Sequence, residues 1–175
     1  MNKRYFCISL LILGSLLIVS CLKITNKETA DAKYLQKAPP FKLVTIYGKI
    51  IDSNSIYKKN VVVINFWATW CPPCRAEIPD FVSVYNNYKD KRVKIIGISL
   101  DFQKKVVEDF LSHNKITYPV CLLGNSELDK KFGGIAYIPT TFIIDLNGKI
   151  QEKFVGAITG EELEAAIKKY LPKGR

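Results

Sequence analysis

The run Trp70-Cys71-Pro72-Pro73-Cys74 constrains this chain more than any other feature. It follows an apolar, β-branched stretch, Val61-Val62-Val63-Ile64-Asn65-Phe66, and precedes a segment with helical periodicity, Arg75 to Tyr88. A C-x-x-C at a strand-to-helix turn sets its first sulfur at the helix N-terminus. Free backbone N–H groups and the helix dipole favour a thiolate there. The second sulfur lies one turn deeper, within reach of a disulfide. This is the layout of a dithiol–disulfide exchange site. Such chemistry uses the two sulfurs alone and needs no cofactor.

Half a zinc site is the competing reading of C-x-x-C. Structural zinc takes four ligands, commonly as two closely spaced pairs. The chain has no second C-x-x-C and a single histidine, His113, with Cys121 eight residues on. A Cys71/Cys74/His113/Cys121 set is the one grouping left, and no metal site is assigned.

The N-terminus reads separately from the rest. Lys3 and Arg4 precede an apolar run from Cys7 to Val19, too short for a comfortable bilayer span and suited to a signal peptide. Leu17-Ile18-Val19-Ser20-Cys21 resembles a bacterial lipobox. That resemblance implies cleavage after Ser20 and a lipid on Cys21. An uncleaved signal anchor is the alternative. Under either reading residues 1–20 are a targeting segment, 21–37 a polar tether, and 38–175 an exported, membrane-tethered domain. Three of the five cysteines then remain in that domain. One active pair and one lone thiol, Cys121 in the apolar run Tyr118 to Leu123, fits that number.

The formal charge is +10, or +8 once Lys3 and Arg4 are removed. The lysines are scattered and not interleaved with aromatics along a stripe, which argues against nucleic-acid binding. A basic tethered domain is also suited to anionic headgroups.

The pattern predicts a short hairpin around Tyr47-Gly48 and a fully buried strand Val61–Trp67. A helix Pro72–Tyr88 follows, kinked at Pro79. A second buried strand starts at Val93. Next comes a helix Lys104–His113 with Val106, Val107, Phe110 and Leu111 inward, then a short helix Ser126–Phe132. The hairpin around Asn147-Gly148 and an amphipathic helix Gly160–Tyr170 close the chain. Alternating strands and helices predict an α/β layered sheet ending in an antiparallel hairpin.

Two segments carry a family resemblance. Val63 to Arg75, through Trp67-Ala68-Thr69-Trp70-Cys71-Pro72-Pro73-Cys74, resembles the active-site run of the TlpA/ResA-like thioredoxins. Ile138-Pro139-Thr140-Thr141-Phe142-Ile143-Ile144-Asp145 resembles their second signature. The resemblance implies a thioredoxin fold with an N-terminal β-hairpin extension and a central helical insertion. It also implies a thiol-disulfide oxidoreductase that reduces protein disulfides, apocytochrome c among them. Its partners would be a disulfide-bearing protein and a membrane or periplasmic thiol donor.

Residue roles follow from the same resemblance. Cys71 attacks and Cys74 resolves. Ile138-Pro139 is cis and lies beside the dithiol, with the Ile138 backbone pairing a substrate peptide; from sequence alone, Pro139 reads equally as a strand-entry proline. Trp70 is an exposed apolar contact and Trp67 is packing. Glu77 matches a buried carboxylate that moves protons near the dithiol, although a first-turn glutamate in solvent also fits its position. Asn65 stands where ordinary thioredoxins carry a buried Asp. A peroxidase of the same fold would need Thr and Pro where this chain has Ala68 and Ile64. A non-catalytic lipoprotein that keeps the fold is the remaining alternative.

Overall fold

The computed structural model describes residues 36–172. The elements run in the order β1 (Lys42–Val44), β2 (Ile50–Asp52), α1 (Ser53–Ile56), β3 (Val61–Trp67), α2 (Pro72–Tyr88), β4 (Val93–Ser99), α3 (Lys104–His113), β5 (Val120–Leu122), α4 (Leu128–Lys131), β6 (Thr140–Ile144), β7 (Ile150–Val155) and α5 (Gly160–Tyr170). Five strands form one sheet in the order β5-β4-β3-β6-β7. β3 pairs parallel with β4 and antiparallel with β6, and β7 returns antiparallel on β6. β1 and β2 form a separate hairpin that joins β5 through a Thr45–Cys121 bridge. This is the thioredoxin arrangement with the expected hairpin extension. α3 and β5 form the insertion.

β3 is buried at every position because both faces of the sheet are covered. Val61, Val63 and Trp67 face one core, with Ile78 and Phe81 of α2 and Leu163 and Ile167 of α5. Val62, Ile64 and Phe66 face the other, with Ala38 and Phe41 of the entering chain and Leu128 and Phe132 around α4. Side chains alternate across a strand, so one seven-residue run serves two cores. Replacing Phe66, in edge contact with both Phe132 and Phe142, by Ala should cost about 3–5 kcal/mol.

Several sequence-based boundaries move. The short helix predicted over 126–132 reduces to α4, because Glu127 adopts φ 51 and cannot lie inside a helix. Val106 was expected inward but is 45% exposed; only Val107 and Leu111 of α3 are fully buried, and Phe110 is half-buried. α2, by contrast, keeps its predicted limits with Pro79 inside it on the exposed side. Gln36 and Lys37, read as tether, already belong to the domain: the Ile150 N–H donates to the Gln36 carbonyl at 3.0 Å, and Lys37 bridges Lys149. The segments read as targeting peptide and as most of the tether, Cys7 and Cys21 included, lie outside the described residues.

Candidate active site

β3 ends at Trp67, and the chain turns through Ala68–Cys71 before α2 begins. The Cys71 N–H closes that turn on the Ala68 carbonyl at 3.2 Å. Asp101, just beyond β4, holds the turn from the side. Its carboxylate accepts from the Thr69 N–H at 3.0 Å and the Thr69 hydroxyl at 2.7 Å. The Ser99 hydroxyl donates to the same carboxylate at 2.7 Å and accepts from the Asp101 N–H at 3.0 Å. Asp101 is buried, and these donors replace the water it has lost. Sequence reasoning missed this clamp. Its signal, Ser-x-Asp after a strand, is too short to stand out unless the partner turn is known.

Cys71 is the N-cap of α2, with Pro72 and Pro73 at the first two helical positions. The Cys74 N–H donates to Cys71 Sγ at 3.3 Å. Neither proline has an N–H, so this is the donor that the cap geometry leaves to the sulfur. Cys71 and Cys74 are joined in a disulfide. Cys71 is 4% exposed and Cys74 1%.

Ile138–Pro139 is a cis peptide, as the family resemblance implied. The Ile138 carbonyl oxygen lies 3.7 Å from Cys71 Sγ, so the second signature packs beside the Cys71 sulfur. Trp70 stands beside the dithiol at 63% exposure. Trp67 is packed at 1% exposure and tilts against Phe110. Arg75 is exposed, and its guanidinium lies 5.8 Å over the Phe110 ring.

Glu77, one helical turn after Cys74, is buried at 4% exposure, not solvated. The Asn65 amide donates to Glu77 Oε1 at 2.8 Å, and the Ile158 N–H donates to Oε2 at 3.2 Å. The same Asn65 amide donates to the Thr141 hydroxyl at 3.0 Å. Burial pushes the Glu77 carboxyl up to about 7, and the bonds from Asn65 and Ile158 pull against that rise. The group can thus carry or release a proton near neutral pH. The fold joins Asn65 and Glu77, separate features in the sequence, into one hydrogen-bonded unit.

Cys121 lies in the opposite core from the dithiol, fully buried, and burial pushes its thiol up to about 12. His113 is on the exposed end of α3 with Nδ1 2.6 Å from the Asp109 carbonyl oxygen. The four residues of the alternative zinc grouping are therefore not brought together.

A strand–turn–helix that presents a dithiol at a helix N-terminus, beneath an X-Pro loop, defines a thioredoxin-fold dithiol–disulfide exchanger. Comparison with known proteins agrees. The model of the AhpC/TSA family matches residues 35–153, and the chain belongs to that family. Thiol-disulfide oxidoreductase ResA of Oceanobacillus iheyensis is 37% identical over 162 residues, 89% of this chain and 81% of the relative. Sporulation thiol-disulfide oxidoreductase A of Bacillus subtilis is 33% identical over 169 residues, 94% and 96% of the two chains. Among solved structures, a thioredoxin-family thiol:disulfide interchange protein from Chlorobium tepidum superposes with TM-score 0.73 at 36% identity, covering 78% of this chain and 97% of that one. StoA from Bacillus subtilis does so with TM-score 0.66 at 34% identity, covering 74% and 96%. The chain is thus a thiol-disulfide oxidoreductase of ResA/StoA type with Cys71 and Cys74 as its pair.

Proposed function

We propose that the protein is an extracytoplasmic, membrane-tethered reductant of protein disulfides, of the kind that keeps apocytochrome c thiols free for haem attachment. One observation carries the direction of transfer: the Cys71 sulfur caps α2 with a single backbone N–H, that of Cys74, because Pro72 and Pro73 offer none. Fewer donors stabilise the thiolate less. The reduced enzyme is then less stable and gives up its electrons more readily.

The cycle begins from the reduced dithiol. Cys71 thiolate attacks one sulfur of a substrate disulfide; a mixed disulfide forms and the other substrate sulfur leaves as a thiolate. Cys74 passes its proton to the Glu77 carboxylate and attacks Cys71 Sγ. The Cys71–Cys74 bond forms, and the second substrate thiolate is released. Two electrons have passed from the enzyme to the substrate. A membrane or periplasmic dithiol donor then reduces Cys71–Cys74 again. Trp70, Ile138 and Pro139 line the approach to Cys71, with the backbone of Ile138 as the pairing edge for a substrate strand.

The tethered location is supported by the sequence of residues 1–21, a basic start, an apolar run and Ser20-Cys21. Among the described residues no helix is long and apolar enough to cross a membrane. Two experiments test this reading. Cys74→Ala should trap the substrate as a mixed disulfide on Cys71, and recovery of no cysteine-bearing protein would count against a protein substrate. Wild type should take up fatty acid and Cys21→Ala should not; membrane retention with no lipid on wild type would select the signal anchor instead.

A further inference from the structure

We propose that the end of the sheet opposite the dithiol is a docking face for an anionic lipid surface, and that it holds the domain with Cys71 turned away from the bilayer. This rests on the reading that residues 1–20 anchor the chain.

Strand register fixes which groups share that end. Cys71 lies beyond the Trp67 end of β3. At the other end Val61 is level with Val93, Val62 with Ile144, and Ile144 with Ile150. The Gln36 carbonyl accepts from Ile150 N–H there, and Lys37 bridges Lys149. The chain therefore enters the domain about 20 Å from the dithiol end, the length of a strand of this size.

Three connections turn at this same end. The link from α1 to β3 carries Lys58 and Lys59, the link from α2 to β4 carries Lys89, Lys91 and Arg92, and the β6–β7 turn carries Lys149; all are exposed. Two of the connections are tied together. The Val61 N–H donates to the Arg92 carbonyl at 2.9 Å, and Arg92 Nε donates to the Lys59 carbonyl at 2.9 Å. Asp90 is the one exposed acid in these three connections. Asp145 is buried and occupied by its own turn, where it accepts from the Asn147 and Lys149 N–H groups.

None of the four ion pairs among the described residues involves these cations. At the dithiol end, by contrast, Lys105 is paired with Asp109 at 2.6 Å. The cations of the far end stand outside those four ion pairs, with Asp90 in their connections and Glu164 near Lys91 as the acids beside them. Gathered where the chain departs toward its anchor, they carry a net positive charge that complements an anionic leaflet. Each is attracted within a Debye length of the surface. The result is an oriented domain whose active end faces incoming substrate.

The test uses the full chain in vesicles of phosphatidylcholine, alone or mixed with phosphatidylglycerol. Lysines are pulse-acetylated and read by mass spectrometry. Acetylation of Lys58, Lys59, Lys91 and Lys149 should fall at least about threefold in the anionic vesicles and recover at high salt, while Lys104 and Lys105 change little. Equal labelling at both ends in both vesicle types overturns the proposal. Flotation with neutral vesicles at high salt reads the anchor separately. Flotation without the footprint overturns docking and leaves the anchor. The footprint without such flotation overturns the anchor and leaves docking.

Discussion

Asn65 and Glu77 meet in the buried layer beneath the dithiol, the Asn65 amide donating to Glu77 Oε1 at 2.8 Å. An asparagine here supplies a donor and no negative charge, so the carboxyl of this pair is that of Glu77 alone. The low-dielectric surroundings hold that carboxyl near neutrality, up to about 7.

The first prediction concerns the resolving step. Glu77→Gln keeps the size and the acceptor for Asn65 but removes the base. Release of reduced substrate from the mixed disulfide should slow by at least about 100-fold, the lower range for a positioned acid–base group. Attack by Cys71 should change far less. Stopped-flow separation of the two steps checks this; equal slowing of both, or of neither, removes Glu77 from proton transfer.

A pH dependence of stability follows from the same group. The folded-state value is raised above the ordinary 4.5, so the native state holds the proton more tightly than the unfolded chain. The contribution is complete below about pH 4.5 and is lost as pH rises through about 7. The shift corresponds to a loss of order 3 kcal/mol for wild type relative to Glu77→Gln. Denaturant titrations of both oxidised proteins at pH 4.5 and pH 8 measure it; parallel pH profiles contradict it.

Asn65→Leu removes a hydrogen bond that pulls the Glu77 carboxyl down. The Glu77 titration should move further above about 7, carrying the pH profile of the resolving step with it. An unmoved profile in a folded variant means Asn65 does not tune Glu77.

Cys121 should be inert. With the protein reduced and folded, alkylation at pH 8 should label Cys71 and leave Cys121 untouched until denaturant is added, because the Cys121 thiol is buried and pushed up to about 12. Cys121→Ser should retain exchange and Cys71→Ser should lose it. Loss of exchange in a folded Cys121→Ser would give the lone thiol a role the present account denies.

The elements that set the fold were readable where periodicity was strong. The near-continuous apolar run Val61–Trp67, interrupted only by Asn65, and the helical spacing over 72–88 give β3 and α2 at their observed limits. The dithiol was readable because its spacing is itself the chemistry. Less was visible where long-range contacts decide. Val106 has the spacing of an inward residue, yet no element covers it. Asp101 looks like any loop aspartate until Thr69, thirty-two residues away in sequence, is brought against it. Glu77 could be read from a family resemblance, but its burial depends on Asn65 from β3 and on Ile158 from the segment before α5.

The central claim is that the sparse hydrogen bonding to Cys71 makes this enzyme a reductant. A redox titration of the Cys71–Cys74 pair against glutathione or dithiothreitol, beside the pH dependence of Cys71 alkylation, tests it most directly. The account predicts a potential below ~−180 mV, close to the ~−270 mV of thioredoxin, and a Cys71 value close to ~7. A potential near ~−120 mV with a Cys71 value near ~3.5 is that of a disulfide-forming oxidant and contradicts it.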